Sequence, residues 1–582
     1  MDDNVMEMPS LAQMQHWTRV VGLAQQLILE RSTDLADRAL STNRFEAHPN
    51  LERIATIQAD MASRGMAIWE GFLTRSAGED EAAARPATPA DHDRRFADPR
   101  WRDNPVFDLI RQMYLLASDY LLQLADSVDG LDPHGKQKLR FATQRFVEAA
   151  SPSNFPFTNP LVIEKTIETQ GQNLLTGLEH LLADLDRGQL THTDGSAFEV
   201  GRNIAATPGK VIHETPLYQL IQYEPTTPDV LATPLLIFPP WINRFYILDL
   251  NPAKSFVKWA VDQGISVFMV SWKSADARMA DVGLDDYVLR GQIDAIDTVR
   301  DLLGVPAVHA IGYCVAGTTL AVTLALLAAR GEAHKVASAT FLTAQVDFSE
   351  AGDLSLFVDD EQINLLGSLV TDGYLDGRYM AATFNLLRGQ DLIWNYVVDN
   401  YLLGKGYPQF DLLYWNGDTT NLPAKWHHAY LCDFYRDNRL VQPGSLSVDG
   451  TAIDLRKIMT PSYIQAGVED HIAPAASVWK LMDHLAGPKR FMLAGSGHIA
   501  GVINPPAARK YQYWTLEGAM PAPDLATFRA MARETPGSWW PDWLDWLKAL
   551  SDEAVEADGA RRPGKGRLPA IEDAPGRYVR AR

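Results

Sequence analysis

The sequence predicts an α/β architecture, a mainly parallel sheet covered by helices on both faces, preceded by a mostly helical segment. Three observations predict it. From about residue 215, short β-rich runs bounded by Gly, Pro and Asp alternate with stretches of helical periodicity. The first 200 residues carry helical spacing without a strand signal. The stretch "AVHAIGYCVAGTTLAVTLALLAARG" (307–331) reads as a buried apolar strand, a Gly-rich turn and a helix in immediate succession. Strands that alternate with helices imply a parallel sheet layered on both sides.

Taken in order, residues 11–75 place apolar side chains at helical spacing, and "SAGEDEAAARPATPADHD" (76–93) has the Ala, Pro and charge content of a flexible linker. Residues 105–190 are helical again, with apolar residues three and four apart in "NPVFDLIRQMYLLASDYLLQLAD" and "NPLVIEKTIETQGQNLLTGLEHLLADL". A mostly helical domain over 1–200 follows, and then an α/β domain over 201–582. Its first strands are "PLYQLIQYEP", "TPLLIFPPW" and "GISVFMVSW". The next helix is "LDDYVLRGQIDAIDTVRDLLG" (284–304), whose Val288, Ile293, Ile296, Val299 and Leu303 share one face. Between 349 and 439 the alternation breaks and Trp, Tyr, Phe and Asn accumulate, as expected of an inserted cap with its own aromatic core. The tail over 552–582 is polar, with Gly and Pro, and reads as extended or partly disordered.

Composition removes several function classes. Lys and Arg number 53 against 73 Asp and Glu, a formal charge of −20, which disfavours a nucleic-acid backbone as partner. Two cysteines, Cys314 and Cys432, allow one disulfide at most and point to a reducing cytoplasm. The acidic start "MDDNVMEMPSLAQMQHW" lacks the apolar core of a signal peptide. The longest apolar run, around Leu320 to Ala329, is far short of the roughly 20 residues that span a bilayer, so any association with a lipid-like body is peripheral. No phosphate-binding loop of the G-x-x-x-x-G-K-[ST] type is present, and His427, His428, Cys432 and Asp433 are the sole hint of a metal site. No metal and no cofactor is expected.

The turn Gly312-Tyr313-Cys314-Val315-Ala316-Gly317 has the form of a nucleophile elbow, in which a reactive side chain sits on a sharp strand-to-helix turn between small neighbours. The following helix N-terminus favours a thiolate, and the amide of Val315 is placed to meet an oxyanion. A buried cysteine is also commonly an inert small hydrophobe. An elbow requires an acid and then a histidine later in the chain. "TPSYIQAGVEDHIAP" offers Asp470 and "KRFMLAGSGHIAGVINPP" offers His498, each just after an apolar strand, with Glu469 and His471 as rivals. This order and these placements suit an α/β-hydrolase-like catalytic domain.

The stretches "FPPWINRFYILDLNP", "GYCVAGT", "DLIWNYVVDNYL", "FDLLYWNGDTTNLP", "EDHIAP", "SGHIAGVINPP" and "GSWWPDW" resemble the class I poly(3-hydroxyalkanoate) synthases, as does "FATQRFVEAASPSNFPFTNP" in the N-terminal half. The family's box usually reads G-x-C-x-G-G, from which Ala316 departs. The resemblance implies an acyltransferase that polymerises (R)-3-hydroxyacyl-CoA, with 3-hydroxybutyryl-CoA the expected substrate, and releases coenzyme A through a covalent cysteine thioester. It implies the triad Cys314, Asp470 and His498, with His498 as base. Asp470 would orient that imidazole or help deprotonate the 3-hydroxyl, and the second job would make elongation the more sensitive step. The loop 239–243 is expected to give a second oxyanion amide, that of Ile242. Trp241, Asn243, Tyr313 and His471 are expected around the substrate. A homodimer in the cytoplasm, at the surface of polyester granules and bound to its growing chain, is implied as well. A thioesterase or polyester depolymerase of the same fold remains the enzymatic alternative. A non-catalytic granule-coat protein is the alternative of another class.

Overall fold

The computed structural model describes residues 48–76, 93–370, 372–516 and 522–581. The helical spacing expected over 11–47 and the linker over 77–92 lie outside the described residues. By internal packing the chain divides into two units, residues 1–194 with 382–408, and residues 195–381 with 409–582.

The first unit is helical, with α1 (Leu51–Ser76), α2 (Pro105–Asp126), α3 (Pro133–Ala149), α4 (Pro160–Glu168) and α5 (Gln172–Arg187). Three of these start by one device. Asn104, Asp132 and Asn159 each cap a backbone N–H of the first turn with a side-chain oxygen, and a proline follows at the first helical position. The segment 382–408, which the sequence places in the expected cap over 349–439, groups with these helices. Gly177 on α5 explains the close approach, since a Cβ there would lie 1.8 Å from the Tyr401 carbonyl oxygen. Asn173 Nδ2 donates to the Leu402 carbonyl at 2.8 Å, and His192 Nε2 donates to that of Leu392 at 2.7 Å.

The second unit is built on an eleven-stranded sheet. In chain order its strands are β1 (Gly209–Glu214), β2 (Tyr218–Tyr223), β3 (Leu235–Phe238), β4 (Val267–Trp272), β5 (Val308–Tyr313), β6 (Val336–Leu342), β7 (Ser462–Gly467), β8 (Lys489–Ala494), β9 (Gln512–Thr515), β10 (Arg533–Pro536) and β11 (Glu572–Asp573). Across the sheet the order is β10-β9-β8-β7-β6-β5-β3-β4-β2-β1-β11. The central run from β4 to β8 is parallel, and the flanking pairs are antiparallel. Alternate residues feed two apolar layers: Leu236, Phe238, Phe268, Val270 and Ala310 face one, while Leu235, Ile237, Met269, Ile311 and Tyr313 face the other. Both faces are buried, which is why these strands read as unbroken apolar runs.

Helices α6 (Phe256–Asp262), α7 (Asp294–Leu303) and α8 (Val315–Ala329) follow β3, β4 and β5. The single helix expected over 284–304 is interrupted, running as a π-helix over Tyr287–Ile293 before α7. That extra residue per turn directs Gln292 inward, where it is fully buried. Helix α9 (Trp540–Leu550) carries the aromatic motif near the C-terminus. The expected partial disorder of the tail is corrected. Residues Ala554–Glu556 pair with Asp229–Leu231, and β11 closes the sheet edge against β1. Arg561, polar and silent in a sequence pattern, is buried and donates to the carbonyls of Leu231 and Ala232.

Candidate active site

Strand β5 ends at Tyr313 and α8 begins at Val315, so Cys314 turns the chain by itself, at φ 53° and ψ −127°. Positive φ is strained for a residue with a side chain. The amide of Cys314 donates to the Leu342 carbonyl on β6 at 2.9 Å, and its own carbonyl accepts from Gly317 at 2.8 Å and Thr318 at 3.1 Å. Space is tightest between two glycines. A Cβ on Gly312 would lie 2.5 Å from the Gly317 Cα, and one on Gly317 would lie 2.5 Å from the Ala344 Cβ. The tight pair is therefore Gly312 with Gly317, and the methyl of Ala316, the departure noted in the motif, is accommodated in the apolar layer beside them. Gln292 Nε2 donates to the Ala316 carbonyl at 2.9 Å and Thr323 donates to Gln292 at 2.6 Å, so the π-helix ties down the start of α8.

Asp470 follows β7 and His498 follows β8, both at the carboxyl ends of parallel strands as Cys314 is. His498 Nδ1 donates to Asp470 Oδ2 at 2.7 Å, and the Cys314 thiol is near enough for its charge to act on the ring. The other Asp470 oxygen accepts the amides of Ile472 and Ala473, each at 2.9 Å. The Asp470 side chain is 0% exposed, so both oxygens are committed within the protein. Glu469 is exposed and His471 half-buried; of the three neighbours it is Asp470 that meets the imidazole. Burial disfavours a charged imidazole, but the charges of Asp470 and Cys314 and the hydrogen bond to Asp470 outweigh it, and His498 is pushed up to about 10. The loop carrying His498 is braced from α9, where Trp540 and its neighbour Trp539 donate their indole N–H to the carbonyls of Val502 and Gly501.

Tyr313 is 1% exposed; its hydroxyl donates to the His498 carbonyl at 3.1 Å and its ring lies 5.7 Å from the imidazole. It supports the histidine from inside the core. Trp241 is buried among Tyr287, Trp272 and Trp426. Asn243 turns the chain at φ 82°, and Ile242 lies between them. The amide of Val315 is the first of α8 and so has no carbonyl partner within the helix. Sequence reasoning placed Tyr430 in the aromatic insertion but did not single out Tyr435 beside it. Tyr430 is buried and Tyr435 half-buried; burial raises both phenols, followed at Tyr430 by the neighbouring Tyr435 and then the Cys314 charge, and at Tyr435 by the Cys314 charge, while Gln345 Nε2 donates to the Tyr435 oxygen at 3.1 Å. Cys432, in the same segment, lies 3.6 Å from His428 Nε2. Among the described residues no group of three or more His, Cys, Asp or Glu is placed to hold a metal ion. The whole arrangement can ionise a thiol, present it at a helix N-terminus and return a proton from the neighbouring imidazole.

Comparison with known proteins gives two family matches. Residues 92–260 match the family described as poly-beta-hydroxybutyrate polymerase (PhaC) N-terminus, and residues 271–505 match the alpha/beta hydrolase fold. The chain is 47% identical over 520 residues to the poly(3-hydroxyalkanoate) polymerase subunit PhaC of Rhizobium meliloti, covering 88% of this chain and 84% of that one. It is 45% identical to the poly(3-hydroxyalkanoate) polymerase of Methylorubrum extorquens, covering 91% and 87%. With the subunit PhaC of Cupriavidus necator it shares 43% identity, covering 92% and 91%.

Proposed function

We propose, for a chain that belongs to the poly(3-hydroxyalkanoate) polymerase family, that it assembles polyester from (R)-3-hydroxyacyl-CoA, 3-hydroxybutyryl-CoA foremost, on a Cys314 thioester. The observation that carries this reading is the Cys314–His498–Asp470 constellation at the ends of β5, β8 and β7. The Cys314 thiolate attacks the acyl carbonyl, the amides of Val315 and Ile242 receive the oxyanion, and the coenzyme A sulfur leaves with a proton from His498. One thioester replaces another, so loading is nearly isoenergetic and the acyl group stays activated. In the elongation step, the 3-hydroxyl of one unit loses its proton to His498 and attacks the thioester carbonyl of another. An ester forms, the Cys314 sulfur departs with the proton held by His498, and its thiolate then takes the lengthened chain back from coenzyme A, whose sulfur leaves protonated. Asp470 holds the tautomer and the orientation of the imidazole, a role supported by the commitment of both its oxygens.

The polymer is insoluble in water and remains tethered to Cys314, so the enzyme travels with its own product to the granule surface in the cytoplasm. Among the described residues no helix is long and apolar enough to cross a membrane. The active form is a homodimer, as the resemblance implies, and sedimentation with and without substrate measures it. The deciding experiment incubates the purified chain with (R)-3-hydroxybutyryl-CoA and follows coenzyme A release, insoluble polyester and the mass of the Cys314 peptide. Release, polymer and an acylated Cys314 are expected together, and Cys314→Ala loses all three with its fold retained. Coenzyme A release without polymer would make the chain a thioesterase.

A further inference from the structure

The turn that offers the second oxyanion amide is gripped by one hydroxyl. Thr420 Oγ1 donates to the Trp241 carbonyl at 2.6 Å and accepts the Asn243 amide at 2.7 Å, so a single buried side chain ties the residues on either side of Ile242 together. The turn is a demanding one, because Asn243 sits at φ 82°, a region that few residues besides Gly, Asn and Asp adopt. The surrounding chain is laced the same way. Trp415 Nε1 donates to the Arg244 carbonyl at 2.7 Å, Tyr246 donates to Asp418 at 2.7 Å, and Arg244 Nη2 donates to the Thr419 carbonyl at 3.3 Å. The Arg244 guanidinium also reaches the carbonyls of Tyr578 and Ala581 in the tail. Segment 415–420 is thus a splint laid along 241–246, and Thr420 is the tooth of it that reaches the turn itself.

We propose that Thr420 is a positioning residue for the transfer reaction, holding the Ile242 amide where the developing oxyanion will be. This rests on the oxyanion role given to Ile242 above. Hydroxyl clamps of this kind act on the transition state more than on substrate binding, because the ground-state carbonyl needs the amide less than the oxyanion does.

The test compares Thr420→Val, which keeps the shape and deletes the hydroxyl, with Thr420→Ser, which keeps the hydroxyl. Removing one oxyanion donor outright lowers kcat about 10²- to 10³-fold, so its misplacement in Thr420→Val should lower kcat by about 10- to 100-fold with KM little changed. Thr420→Ser should recover most of the rate. A spectroscopic readout accompanies the kinetics. Butyryl-CoA, which lacks a 3-hydroxyl, is loaded with a ¹³C-labelled carbonyl to give an acyl-Cys314 that cannot elongate, and its infrared carbonyl stretch is recorded. The native stretch should lie below that of a free thioester, and Thr420→Val should move it back. A native red shift that Thr420→Val leaves in place, with an unchanged kcat, overturns the clamp alone. A native stretch equal to that of the free thioester removes the oxyanion reading and the clamp with it. Should Thr420→Val fail to fold, Thr420→Ala carries the same comparison.

Discussion

Replacing Asp470 by Asn separates two jobs that a triad carboxylate can have. Its Oδ1 accepts two amides at 2.9 Å, and an asparagine must keep an oxygen there, because those N–H groups are donors. The amide nitrogen then faces His498 Nδ1 at the 2.7 Å position and presents hydrogen atoms to it. Nδ1 has to become the acceptor, so the ring proton moves to Nε2, the nitrogen that should take the proton of Cys314. The charge that opposes burial at His498 is lost as well, so its titration falls from about 10. The corresponding tautomer trap in a serine triad lowers kcat about 10⁴-fold, some 5.5 kcal/mol. A drop of about 10³- to 10⁴-fold is expected here at pH 7, in acylation and elongation alike, since both need the same nitrogen. Rapid-quench measurement of acyl-Cys314 formation, set beside steady-state polymer growth from (R)-3-hydroxybutyryl-CoA, reads the two steps separately. Near-native acylation at pH 7 followed by a stall at short chains would refute this reasoning and assign Asp470 to the 3-hydroxyl.

At the elbow, Gly317→Ala should destabilise the protein by about 1–3 kcal/mol and slow turnover, because its Cβ would press on Ala344 and on the Gly312 carbonyl 2.7 Å away. Ala316→Gly, which restores the familiar motif, should change stability by about 1 kcal/mol or less; denaturant midpoints test the pair. Burial lowers His309 and His427 to about 4, below the 6.5 of an unfolded histidine, the charge of His428 adding to the effect at His427. Their contribution is present above pH 6.5 and fades as pH falls toward 4, at about 1.4 kcal/mol per pH unit for each. Urea midpoints should therefore fall steeply from pH 6.5 to 4.5, and less steeply in His427→Leu; an equal slope would contradict the assignment. A fragment over 195–582 keeps the triad but leaves Tyr401, Leu402 and Leu392 without the α5 and His192 partners they have in the first unit. It should polymerise poorly and aggregate, and full activity as a soluble monomer would refute this.

How far the sequence reveals all this depends on the distance over which each feature is determined. The strands β3 and β4 are legible because two buried faces make them mostly apolar, and β2 and β5 because their large apolar residues are broken only by Gln219, Gln222 and His309, whereas β6, "VASATFL", hides among small residues that neither alternate nor cluster. Cys314, Asp470 and His498 are legible because an elbow imposes their order and each stands at the end of a strand. The grip of Thr420 on Trp241 and Asn243 joins residues about 180 positions apart, and nothing local in "GDTTNLP" signals it. The tail misleads for a related reason. Its Arg561 is buried and donates to the carbonyls of Leu231 and Ala232, so composition reads as solvent exposure what is in fact packing.

The first unit is discontinuous, and this constrains the order in which the protein can be made. Domains fold as they emerge during synthesis, the N-terminal one first. Here the helices α1 to α5 leave the ribosome without the stretch 382–408 that completes them, and six strands of the sheet are translated before it arrives. The notch at Gly177 stays open for about 220 further residues until Tyr401 can fill it. The earliest-made helices are therefore among the later parts to be finished, and ribosome-bound chains stopped before residue 382 should show α5 far less protected from proteolysis than chains stopped after 408.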